Sequence, residues 1–84
     1  AGDKETADHI TNKLVKHTEM DVAYYQSLPE EKKSFKLDDC QMEISVLNHL
    51  ATVAQGANMP ELSKSTFDKV NQLARLIPFP NANQ

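Results

Sequence analysis

His17 and Asp21 are the residues of this chain whose types and spacing come nearest to chemistry. Four apart on a helix, they stand one turn from each other, where a carboxylate can orient an imidazole as a general base or as half of a metal site. Asp21 also falls inside the apolar arc of its helix, an unusual place for a carboxylate. A base needs a nucleophile or a pocket beside it, and a metal needs a third and a fourth ligand. The spacing supplies neither, and His9 stands two helical turns from His17. From spacing alone the pair is a structural one at the helix edge, and no catalytic residue, metal ligand or cofactor is expected. Cys40, the one cysteine, continues the stripe of Ile44, Leu47 and Ala51 and has no His next to it in sequence. It is expected to be a small buried core residue, not a reactive thiol.

A second group is notable for missing charge. From Ile44 to Pro60 there is no Asp, Glu, Lys or Arg, although 25% of the chain is charged. The segment is slightly short for a membrane span and too polar for one. Ser45, Asn48, Thr52 and Gln55 recur at spacings of three and four and form one narrow polar strip, with His49 on its edge. Ile44, Leu47, Ala51 and Ala54 form one apolar flank; Val46, Leu50 and Val53 form the other. A helix apolar over most of its circumference touches several neighbours, so this is expected to be the central helix of a bundle, wrapped on two or three sides. The strip of Ser45, Asn48, His49, Thr52 and Gln55 is then the candidate surface for a protein partner or a second copy of the chain, because interface centres are poor in charge.

The elements that position these groups follow from the punctuation. Eighty-four residues with 39% hydrophobic content and a net charge of −3 suit one small helical-bundle domain over residues 1–84, without a disulfide to staple it. Two glycines and four prolines leave long stretches rich in Leu, Ala, Glu, Lys and Gln, which favours an all-α fold of three long helices and one short one. The first is expected from about Asp3 to Gln26, with Ala7, Ile10, Leu14, Val15, Val22 and Tyr25 inward. Thr18 and Asp21 have the form of a capping box, but one unbroken helix is expected. Ser27-Leu28-Pro29-Glu30 reads as a start signal for a short helix to Phe35, anchored by Leu28 and Phe35. Asp38 or Asp39 then caps the central helix, which Gly56 closes in the left-handed conformation. The last helix runs from about Met59 to Leu76, burying Leu62, Thr66, Val70, Leu73, Ala74 and Ile77. Pro78 and Pro80 end it, and the tail is expected to fray past Phe79.

The segment Leu62-Ser63-Lys64-Ser65-Thr66-Phe67-Asp68-Lys69-Val70-Asn71 resembles the recognition helix of bacterial helix-turn-helix repressors, with small hydroxyl residues and a basic residue at its start. That resemblance implies a DNA-binding regulator using Lys64, Ser65, Lys69 and Arg75. The connection from Gly56 to Glu61 is longer than the tight turn of that motif, and Glu61 and Asp68 offset the cations. The first expectation is therefore a small protein-interaction module, such as a regulator, an inhibitor or immunity factor, or an accessory subunit, and not an enzyme. Most of its apolar residues are needed for the core, which leaves little for a pocket. A lone cysteine favours the cytoplasm over export, while Ala1 is what removal of either an initiator methionine or a signal peptide leaves.

Overall fold

The computed structural model describes residues 2–79, and over that range the chain is all-α. Helix α1 spans Gly2–Ser27, α2 spans Ser34–Gly56 and α3 spans Pro60–Ala74, with a single turn of 3-10 helix at Glu30–Lys32. No strand occurs among the described residues, and the expected fraying past Phe79 falls outside them.

Helix α1 is continuous through Thr18, whose fully buried hydroxyl donates to the Leu14 carbonyl at 2.9 Å and so needs no break in the helix. Asp3 and Glu5 sit in its first turn, where they favour the positive end of the helix dipole, but its last turn holds no basic residue. Lys33 supplies one from beyond the turn. Its ammonium donates to the carbonyls of Tyr25, Gln26 and Leu28 at 3.1, 3.0 and 2.9 Å and lies 5.1 Å from the centre of the Tyr25 ring. Ser27 does not cap a following helix; its hydroxyl donates back to the Tyr24 carbonyl at 2.7 Å. The short helix expected to Phe35 is therefore only the Glu30–Lys32 turn. Helix α2 begins at Ser34, with Asp38 and Asp39 inside it and not at its cap. Leu37, packed against the core, holds this first stretch of α2 down.

The end of α2 also differs from expectation. Gly56 stays in the helix, and Asn58 takes the left-handed conformation with φ 62°. Asn58 N–H then bonds to the Gln55 carbonyl at 3.2 Å and Met59 N–H to the Ala54 carbonyl at 2.8 Å, the two bonds of a Schellman ending. Asparagine tolerates this conformation better than most residues with a Cβ.

Helix α2 lies between the other two, packing along both, while α1 and α3 meet over much less of their length. The molecule measures 47 × 28 × 15 Å. Its core joins Val22 and Tyr25 of α1, Cys40, Ile44 and Leu47 of α2, and Val70, Leu73 and Ile77 at the α3 end. Leu47 and Ala51 are 0% and 1% exposed, and the inward stripe expected for the last helix is buried or half-buried throughout. The second flank of α2 is not covered: Val46 and Val53 are 42% and 52% exposed and Leu50 is half-buried. Both neighbours of α2 press on the same side, which leaves its outer side to solvent. Phe35 on α2, expected to anchor the short helix, is exposed on that same outer side, and Ile10 of α1, expected inward, is exposed as well.

The two residues at the end of α2 separate the observed cap from the expected one. A Cβ at Gly56 meets no atom within 4 Å, so Gly56→Ala is expected to stabilise the fold by about 0.5–1 kcal/mol, through helix propensity. Asn58→Ala is expected to cost about 1 kcal/mol, because alanine pays the Cβ penalty at positive φ. Urea midpoints at constant slope read both; opposite signs would return the left-handed position to Gly56.

Candidate functional site

Ser45, Asn48, His49, Thr52 and Gln55 all stand exposed on the outer side of α2. The strip is well formed locally: the Thr52 hydroxyl donates to the Asn48 carbonyl at 3.1 Å. Towards α3 it borders a shallow depression where Ser45 and Asn48 meet Val70, Ala74 and Phe79. On its other side lie the exposed Val46 and Val53. Phe35, Met42 and His49 are seven residues apart, and Val46 and Val53 are also seven apart, set off by four. These five line one seam down the outside of α2, with the spacing that helix-on-helix packing uses. Phe35 is 80% exposed and Met42 is exposed as well. Sequence reasoning placed Val46 and Val53 in the core and so missed the seam; their heptad spacing with Met42 and His49 was the signal.

Near Val53 the seam opens into an apolar groove of about 300 Å³ between the N-terminal half of α1 and the α2–α3 turn. Ile10, Leu50, Val53, Ala57, Met59 and Leu62 line it. No charged residue lines this groove.

The polar cluster lies at the middle of the α1–α2 contact. His17 Nε2 is 3.3 Å from Asp21 Oδ2, as the spacing of four implies, and 3.8 Å from Glu43 Oε1 of α2. Lys36 Nζ is 3.3 Å from the other Asp21 oxygen and 3.7 Å from Asp39. Glu43 is the member that sequence reasoning missed, because it arrives from another helix. Its place on the stripe of Cys40 and Leu47, at spacings of three and four, was the available sign.

Burial pushes the Glu43 carboxyl from its ordinary 4.5 up to about 7, and hydrogen bonding to Asp21 and the charge of Asp21 push the same way. Hydrogen bonding with Glu43, then the Lys36 ammonium, holds the Asp21 carboxyl below its usual range despite some burial. Burial raises the Cys40 thiol, and the Asp21 and Glu43 charges add to the rise, so this fully buried thiol is kept from forming thiolate.

Of the residues expected for DNA contact, Lys64 pairs with Asp68 at 3.5 Å and Lys69 with Glu19 of α1 at 2.8 Å. The Ser65 hydroxyl donates to the Leu62 carbonyl at 3.2 Å. Arg75 is exposed just past the end of α3. No helix among the described residues is long and apolar enough to cross a membrane. Comparison with known protein families, with curated proteins and with solved structures finds no match to this chain.

The Glu43 carboxyl gives stability a distinct pH dependence. Between about pH 4.5 and 7 the native state retains a proton that the unfolded chain has released, so this group lowers stability as pH rises through that window. Asp21 acts in the opposite sense: its contribution is present above 3.8 and is lost as pH falls through its lowered native value. Glu43→Gln keeps a donor for Asp21 and removes the first effect. The variant is expected to exceed the parent by roughly 1–2 kcal/mol near pH 8, after discounting for solvent at the carboxyl, and to match it near pH 4.5. Urea unfolding in EDTA-containing buffer at the two pH values measures this, and a pH-independent difference would contradict it.

Proposed function

We propose that this chain is a small protein-interaction module that works by presenting the outer side of α2, with a second copy of the chain as the occupant. The observation that supports this most is the uncovered apolar seam. Phe35, Met42, Val46 and Val53 lie exposed along one line, in a chain with few apolar residues to spare from its core. His49, Ser45 and Thr52 border the seam and give it polar contacts without charge.

Self-pairing fits the geometry because a two-fold interface must complement itself. In an antiparallel pairing of two α2 helices centred on Val46, Phe35 falls opposite Ala57 of the second copy. Ala57 lines the apolar groove, so the most exposed large side chain meets the pocket best suited to it. Nothing comparable favours the DNA-binding alternative, since two of its three cations are already in ion pairs.

Light scattering over a concentration series tests the pairing. The mass is expected to rise from one chain to two, with little dependence on salt, because the seam is apolar. Val53→Glu and Phe35→Glu change exposed residues and are expected to weaken association tenfold or more with helicity retained, each burying a charge in the interface. A mass of one chain throughout, or variants that associate as the parent does, would overturn the proposal.

A further inference from the structure

We propose that His17, Asp21 and Glu43 form a binding site for one divalent transition-metal ion, with zinc the best match to the donors. This site is separate from the α2 seam and does not depend on self-pairing. The spacing of His17 and Asp21 offered two ligands on one helix; the fold brings the third across from α2. One donor atom from each residue lies within 4.8 Å of the other two, and His17 Nε2 is 3.3 and 3.8 Å from the facing carboxylate oxygens. Donors bound at zinc distances around a tetrahedron stand about 3.4 Å apart, so small side-chain rotations close the set.

Two further observations point to a cation. Glu43 Oε1 is buried and accepts no hydrogen bond, which is costly for a carboxyl oxygen, and it faces the same space as His17 Nε2. Lys36 does not fill that space: its ammonium is on Asp21 Oδ1, and Oδ2 is the oxygen turned towards His17. An ammonium there orients the carboxylate as outer partners of metal ligands do. Once the ion displaces the Glu43 proton, two carboxylates against one ammonium set a net negative charge around a dication.

The donor set narrows the choice of ion. One imidazole nitrogen and two carboxylate oxygens suit zinc and its neighbours in the first transition row, whereas magnesium and calcium favour larger shells made entirely of oxygen. The His17 side chain is 63% exposed, so water can complete the fourth position. An ion here would tie α1 to α2 at mid-length.

Calorimetric titration of the EDTA-stripped chain with zinc chloride, beside magnesium chloride at equal concentration, is the test. One zinc per chain is expected, with no saturable heat from magnesium and a zinc-dependent rise in melting temperature. His17→Ala alters an exposed side chain and Glu43→Gln preserves volume, so both are expected to fold, with circular dichroism as the check. Each should weaken zinc binding at least tenfold and remove the melting shift, while His9→Ala leaves both unchanged. Absence of saturable zinc binding up to about 1 mM, or binding that His17→Ala and Glu43→Gln leave intact, overturns the site.

Discussion

The face of α2 made by Cys40, Ile44, Leu47, Ala51 and Ala54 is the one surface against which both other helices bury themselves. Helices α1 and α3 share little contact of their own, so losing the attraction to α2 would separate all three. Each large apolar side chain fully removed from water contributes about 1.5–3 kcal/mol, and here only a short set of them does so. The arrangement is a small all-α bundle in which the outer side of α2, with Val46 and Val53, stays in solvent. A small bundle has much surface for its volume, which is why so many large apolar residues remain exposed.

Apolar stripes attract without fixing how far one helix slides along another, and each helix pair carries polar ties that do fix it. Between α1 and α2 the tie is the group of His17, Asp21, Lys36 and Glu43. Between α1 and α3 it is Glu19 with Lys69. Helix α2 is tied to the α3 side by the buried Ser63 hydroxyl, which donates to the Ala51 carbonyl at 2.8 Å, and by Gln41, which donates to the Pro78 carbonyl at 2.8 Å. Each tie is satisfied in one register and broken by a slip of one turn.

What could be read from the sequence follows from the range of the forces involved. Helix content, the buried run through Leu47 and Ala51, and the inward stripe of α3 depend on period alone and were legible. The exposed strip of Ser45, Asn48, His49, Thr52 and Gln55 was legible for the same reason. Period could not say on which sides of α2 its neighbours lie, so Val46 and Val53 seemed as buried as Leu47. The choice between Gly56 and Asn58 was lost because both residues tolerate the left-handed region. Ser27 looked like a cap because the rival use of its hydroxyl, towards the Tyr24 carbonyl, leaves no trace in spacing. Glu43 joined His17 and Asp21 only through the packing of two helices, which no local pattern records.

Charge along α2 is divided sharply, and the division bears on the sense in which two copies would pair. Lys36, Asp38, Asp39 and Glu43 occupy its N-terminal half, and no charged residue follows before Glu61. Laid parallel in register, two such helices set the exposed Asp38 and Asp39 of one copy near those of the other, so like charges meet in the N-terminal half of the contact. Laid antiparallel about Val46, the charged half of each lies over the uncharged half of the other: Asp39 falls opposite Val53. Like charges are then kept apart. The charge-free stretch from Ile44 to Pro60 thus has a use in self-pairing that solvent exposure alone does not demand. Without it the antiparallel arrangement would meet the same repulsion as the parallel one.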